Sequence, residues 1–206
     1  MEHFGVTVRI QESKAKLTRE DYAIINNSSS IHKGRINSEE WCKKHREDCL
    51  KNFDLNMEYF KLLDKEEFNK EIDDFLNEHK EFKKVKDLKL YNGKSGYYIM
   101  ILDEYKQLYI GTTNNIKKRI QSHWSKKMPF DRLLWGTVDN SILSINSFKA
   151  LDTTRIYAFI DDNTFSIENY YIECFNPKFV CNRIKGGFLE YGLLEAINSM
   201  KTRKLK

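Results

Sequence analysis

Residues 108–124 read LYIGTTNNIKKRIQSHW. Apolar and aromatic side chains fill the first positions, Gly111 breaks the run, and Ile116 and Ile120 then recur at the four-residue step of a helix. The segment reads as strand, turn, helix. A second strand-like run, GYYIMIL at 96–102, precedes it, and residues 103–106 (DEYK) form a loop short enough for a hairpin. With that loop residue 102 faces 107, so Tyr98 faces Gly111 and Tyr109 lies two positions away on the same sheet face. Two phenols then project side by side, opposite a glycine that admits a ligand or another backbone.

The helix adds a second stripe. Asn115, Arg119 and His123 are successive i+4 positions, while Ile116 and Ile120 beside them bury against the sheet. Either Thr113 or Asn114 is able to cap this helix. Arg119 is a candidate phosphate clamp, because a guanidinium matches phosphate oxygens bidentately. His123, with a free pKa of about 6.5, can accept a proton from a neighbouring phenol. Lys117, Lys118, Thr112 and Asn115 are candidate substrate-binding residues, although lysines at such positions usually form a solvated helix face. Further on, SIENYYIECF at 166–175 reads as a helix that Pro177 ends. Glu168 and Glu173 are its candidate metal carboxylates, and one suffices for a Mg²⁺ ion that keeps several waters. Asn182 is expected to bring its amide back over the site.

The bulk numbers set the frame. Residues 1–94 hold 19 Lys+Arg against 19 Asp+Glu, and residues 95–206 hold 16 against 11, so the net charge of +5 belongs to the second part. Positive charge concentrated there suits a polyanion partner. No run approaches the roughly 18 to 20 apolar residues of a membrane span, and the opening MEHFGVTVRIQESK is not that of a secretory signal. A cytoplasmic protein is expected, without a membrane partner. Cys42, His45 and Cys49 share one face of a helix, but zinc needs a fourth ligand that the sequence does not nominate, so ordinary half-buried thiols are expected.

Residues 1–92 are expected to form a mostly helical region serving target recognition or dimerisation. Asn37 and Asp64 each open a capping-box pattern before helices in EEWCKKHREDCLKNF and EEFNKEIDDFLNEHKEF, the second carrying an apolar stripe of Phe68, Ile72, Phe75 and Leu76. FGVTVRI reads as a short strand and REDYAIIN as a short helix. WGTVDNSILSI reads as one or two strands and TRIYAFI as another. Residues 93–187 then form a second region that carries the candidate site, and 188–206 a C-terminal helix with a basic tail. The fold class is α+β, with a small sheet.

Gly96, Tyr97 and Tyr98, followed by Tyr109, Ile110 and Gly111, resemble the two signature tripeptides of the GIY-YIG endonuclease superfamily, with Tyr97 in place of the family's isoleucine. Arg119 stands ten residues after the second tripeptide's tyrosine, as the family's arginine does. Glu168, nine residues before Pro177, resembles the family's metal-binding glutamate, and Asn182 its closing asparagine. The resemblance covers roughly residues 93 to 187. It implies a small central antiparallel sheet flanked by helices, and a phosphodiester hydrolase that cuts DNA, with RNA as the other substrate class, using one Mg²⁺ or Mn²⁺ at Glu168. In that reading Arg119 steadies the scissile phosphate, Tyr98 is the base relayed by His123, and Tyr109 orients water or phosphate. Compact restriction-type members also suggest a homodimer. The alternative is a catalytically inactive or partner-dependent nucleic-acid-binding module of the same fold. Thr112 departs from the lysine of repair-type members, and a long insertion runs between Trp124 and Thr153.

Overall fold

The computed structural model describes residues 1–8, 22–26, 31–126, 128–162, 165–186, 195 and 198–206. Strands β1 (Glu2–His3) and β2 (Val6–Thr7) form a minimal hairpin. Helices α1 (Glu39–Leu62) and α2 (Lys65–Glu78) follow, then the short strand β3 (Lys83–Lys84). The hairpin comes next, as β4 (Gly96–Leu102) and β5 (Gln107–Thr113), leading into α3 (Ile116–Ser125). Strand β6 (Arg155–Ile160) and helix α4 (Glu168–Glu173) complete the order.

The main sheet is antiparallel in the order β3-β6-β4-β5. Every residue of β4 is buried, because helices cover both sheet faces and leave neither for water. On one face Tyr98, Met100, Leu102, Ile156 and Ala158 pack with Ile116 and Ile120 of α3 and Phe60 of α1. On the other, Tyr97, Ile99, Ile101, Leu108 and Ile110 meet Phe68, Ile72 and Phe75 of α2 and Tyr171 and Ile172 of α4. This is the expected α+β sheet between helices. The expected boundary at 92/93 does not separate two cores, however. Val6, Phe60, Val85 and Leu88 belong to one side of the sheet, the α2 stripe to the other, and β3 to the sheet itself.

The edge of β5 is closed by the chain after Pro177. Leu108 pairs in parallel with Val180, and the Cys181 N–H donates to the Leu108 carbonyl at 2.9 Å. Covering the edge satisfies backbone groups that would otherwise attract another strand. Pro177 itself does not merely end a helix. It opens a 3₁₀ turn at Pro177–Phe179 that swings the chain onto β5.

Other local readings shift. Ser38, not Asn37, caps α1 by accepting from Trp41 N–H at 3.2 Å, whereas Asp64 caps α2 as read, accepting from Glu67 N–H at 2.7 Å. WGTVDNSILSI contains no strand. Its backbone is held by side chains and by the C-terminal tail: Asn52 and Asn56 of α1 donate to the Ser141 carbonyl at 2.9 Å, the Arg183 guanidinium donates to the Ile142 carbonyl at 2.6 Å, and the Arg203 N–H donates to the Asn140 carbonyl at 3.1 Å. With its carbonyls so engaged the run fills core space as loop, burying Ile142, Leu143 and Ile145. Strand β2 stops at Thr7, and residues 9–10 of the expected strand, 19–21 of the expected helix and most of the expected C-terminal helix lie outside the described residues. Cys42 and His45 carry no zinc-like arrangement: the Cys42 thiol donates to the Tyr22 carbonyl and a His45 ring nitrogen meets that of Phe130. No helix among the described residues is long and apolar enough to cross a membrane.

Candidate active site

The hairpin register places the first two functional side chains. Tyr98 pairs with Gly111 and Met100 with Tyr109, so Tyr98 and Tyr109 share one sheet face with ring centroids 6.2 Å apart. Gly111 is required by space: a Cβ there would run into the Tyr98 hydroxyl and lie 3.0 Å from the Tyr109 ring. Helix α3 lies across this face because Ile116 and Ile120 are fully buried under it. Its next stripe then falls over the phenols. Arg119 lies close enough to interact with both hydroxyls, and His123 packs edge-on to Tyr109 with centroids 4.9 Å apart.

A proton path follows from the donors and acceptors. The Tyr98 hydroxyl lies 2.8 Å from His123 Nε2, and His123 Nδ1 lies 2.7 Å from Asn146 Oδ1. The amide oxygen can only accept, so Nδ1 carries the proton, Nε2 presents its lone pair, and Tyr98 donates. Asn146 keeps this orientation because its Nδ2 faces the Met128 sulfur at 3.4 Å. Burial, reinforced by the Arg119 and Lys126 charges and opposed by Asn146, lowers the His123 pKa to about 4. The imidazole is therefore neutral near pH 7. Burial, with the charges of Tyr109 and Glu168, pushes Tyr98 well above its ordinary 10, against the pull of Arg119. Burial and Glu168 push Tyr109 up to about 12. Both phenols are protonated at rest, and only Tyr98 has a neutral base beside it.

Glu168 comes from the first turn of α4, only 7% exposed and close enough to act electrostatically on both phenols. Gly186 passes so near its carboxylate that a Cβ there would overlap Oε1. Tyr98, Tyr109, Arg119, His123 and Glu168 thus meet at one place. Among the described residues no group of three or more His, Cys, Asp and Glu is poised around a metal. One hard carboxylate oxygen donor beside an Arg and two phenols nonetheless fits a hydrated divalent cation, which takes its remaining oxygens from water and phosphate.

The other candidates do not converge there. Asn182 does not bring its amide over the site: Oδ1 accepts from Ile110 N–H at 3.0 Å and Nδ2 donates to the Ile110 carbonyl at 2.8 Å, which fastens β5 from its edge. Thr112 pairs with Tyr97 and so faces away from the phenols, by the two-residue period of a strand. Asn115 is the cap of α3, its Oδ1 accepting from Lys118 N–H at 3.1 Å, which also displaces Thr113 and Asn114 from that role. Lys117 and Lys118 stay at the surface of the first turn of α3. Glu173 is exposed and takes a hydrogen bond from Asn169 at 2.5 Å, leaving Glu168 as the carboxylate at the site. Asn146 was not foreseen. It lies in the insertion, on a 3₁₀ turn at Ile145–Ser147, and no spacing in the sequence ties it to His123.

Residues 94–180 match the model of the GIY-YIG catalytic domain family. No curated protein and no solved structure matches the chain. The match over residues 94–180 supports placing this part of the chain in the GIY-YIG nuclease superfamily.

Proposed function

We propose that the protein is a divalent-metal-dependent endonuclease that hydrolyses phosphodiester bonds of DNA. The observation that carries this reading is the relay Tyr98–His123–Asn146 standing beside Arg119 and Glu168. Arg119 holds non-bridging oxygens of the scissile phosphate, leaving the two phenols for charge–dipole contact with it. As water attacks phosphorus, the Tyr98 oxygen takes the water's proton and passes its own to His123 Nε2. The Asn146 oxygen accepts from Nδ1–H and steadies the imidazolium that forms. Tyr109, a neutral phenol that lacks the histidine hydrogen bond Tyr98 makes, orients the attacking water or a phosphate oxygen. The P–O bond to the leaving oxygen breaks, and that oxygen takes its proton from solvent. Glu168 would hold a hydrated Mg²⁺ or Mn²⁺, which would supply Lewis-acid polarisation and offset the carboxylate charge that adds to burial in making both phenols hard to ionise. Lys117 and Lys118 extend the positive surface along the substrate backbone, a salt-sensitive and sequence-independent contribution.

The test is cleavage of plasmid, single-stranded DNA and RNA by the full chain, with and without Mg²⁺ or Mn²⁺, beside Glu168→Gln. Metal-dependent cutting that Glu168→Gln abolishes supports the reading, and the preferred substrate names the nucleic acid. Binding of all three without cutting places the protein with inactive binding modules instead. Cutting that survives Glu168→Gln removes the metal assignment.

A further inference from the structure

The hairpin has a second face, and its hydroxyls reach the segment that delivers Glu168. Tyr97 and Thr112 are register partners on the face opposite Tyr98 and Gly111. The Tyr97 ring is fully buried, edge-on to Tyr171 of α4 at 5.2 Å and stacked with Phe159 at 6.1 Å. Its hydroxyl accepts from the Ile167 N–H at 3.3 Å and lies 3.3 Å from Ser166 Oγ. Thr112 Oγ1 accepts from the Phe165 N–H at 3.3 Å and donates to the Gly96 carbonyl at 3.3 Å. Residues 165–167, held in this way, immediately precede Glu168.

That segment needs holding. Phe165 has φ 75°, a left-handed conformation that a bulky residue keeps only when its surroundings impose it. Helix α4 has six residues and no side-chain cap at Ile167, too short to fix its own start. Its back is packed by Tyr171 and Ile172, but apolar contacts alone tolerate small rotations and slides. Hydrogen bonds to consecutive residues at its entry do not. A ring alone would fill the place where the family carries isoleucine. What Tyr97 adds is the hydroxyl.

We propose that Tyr97 and Thr112 are positioning residues for Glu168, gripping residues 165–167 so that the first turn of α4 presents the carboxylate to the two phenols. The inference rests on reading Glu168 as the residue that holds the divalent cation. It makes the two faces of one hairpin serve one site: the front supplies the phenols, and the back sets the carboxylate.

The test compares Tyr97→Phe, Thr112→Val, the double variant and Glu168→Gln in the full chain. Mn²⁺ binding is followed by the electron paramagnetic resonance of the free ion without nucleic acid, alongside the Mn²⁺ concentration for half-maximal cleavage. Each single variant is expected to bind Mn²⁺ about fivefold more weakly, with the double variant weaker still. The half-maximal concentration moves by the same factor, metal-free affinity for nucleic acid stays put, and Thr112→Ser restores what Thr112→Val loses. Unchanged Mn²⁺ binding in the double variant, with loss in Glu168→Gln, overturns the inference and leaves the reading of the site standing. Unchanged binding in Glu168→Gln overturns that reading and the inference with it. A deficit that disappears on correction for the folded fraction, read by circular dichroism, also overturns it.

Discussion

At the scale of single residues, the proposed chemistry depends on a histidine kept neutral and on a glycine kept bare. His123 has a folded pKa of about 4, against about 6.5 in an unfolded chain. Between these values the unfolded chain binds the proton and the folded one does not, so this group's contribution to stability is present above about pH 6.5 and is lost as pH falls towards 4. The loss is at most about 3 kcal/mol, and comparing urea unfolding at pH 7 and pH 4.5 for wild type and His123→Gln isolates it. The same pKa puts the acid limb of kcat/KM far below pH 6. Asn146→Asp, which sets a carboxylate at Nδ1, is expected to move that limb up by about one to two units; a limb already near 6.5 in wild type contradicts the account. Gly111→Ala drives a Cβ into the Tyr98 hydroxyl. Overpacking of this kind costs about 1–3 kcal/mol, and here it falls on the proposed base, so cleavage should drop at least tenfold while the protein still folds. The tyrosines, Arg119 and His123 were readable because strand and helix periods place them from a few turn residues, whereas only the family resemblance separated Glu168 from Glu173. Asn146 was not, because it joins the site from an irregular insertion, and irregular backbone has no period to read.

At the scale of elements, two residues assigned to the site turn out to hold its frame. Asn115 caps α3, and Asn115→Ala is expected to cost about 1 kcal/mol of stability with nucleic-acid affinity unchanged. A loss of affinity without a loss of stability, measured by fluorescence anisotropy and thermal melting, would return Asn115 to the substrate. Asn182 supplies to Ile110 the two hydrogen bonds that a neighbouring strand would have made. Its removal leaves a buried N–H and C=O unpaired, each worth about 1–3 kcal/mol, so Asn182→Ala should lower the melting temperature markedly and cleavage along with it. The sequence gives an amide's position but not its partner, which is why spacing alone placed Asn182 over the site. Hairpin register was readable to the residue on condition that no bulge intervened, and the strands pair without one from Gly96–Thr113 to Leu102–Gln107. The strand expected in 135–145 failed for the complementary reason: apolar composition marks burial, and the backbone there found side-chain partners on α1 and Arg183 rather than a strand.

At the scale of the whole molecule, α1 and α2 pack into the same cores as the hairpin, and β3 into the same sheet. Phe60, Phe68, Ile72 and Phe75 bury against the sheet, and β3 is one of its strands. A chain starting at residue 93 loses α1 from one face of the sheet, α2 from the other, and the edge strand β3. It is expected to show no cooperative unfolding transition and no cleavage, by circular dichroism and activity assay. Cooperative melting of that fragment would restore an independent domain at the boundary read from the sequence. Charge and pattern change near residue 94, but a change of texture reports local composition, and the long-range packing that joins the two parts leaves no trace in it. Target recognition or dimerisation by residues 1–92 is compatible with this shared core, provided the surface rather than the packed face of α1 and α2 performs it.

The most direct test of the central claim is single-turnover cleavage of DNA by Tyr98→Phe, with DNA affinity measured on the same preparation. The substitution removes one hydroxyl and keeps the ring in the core. The relay predicts cleavage slowed by at least about a thousandfold with affinity unchanged. Cleavage at the wild-type rate would contradict it, and would move the proton chemistry away from Tyr98 and His123.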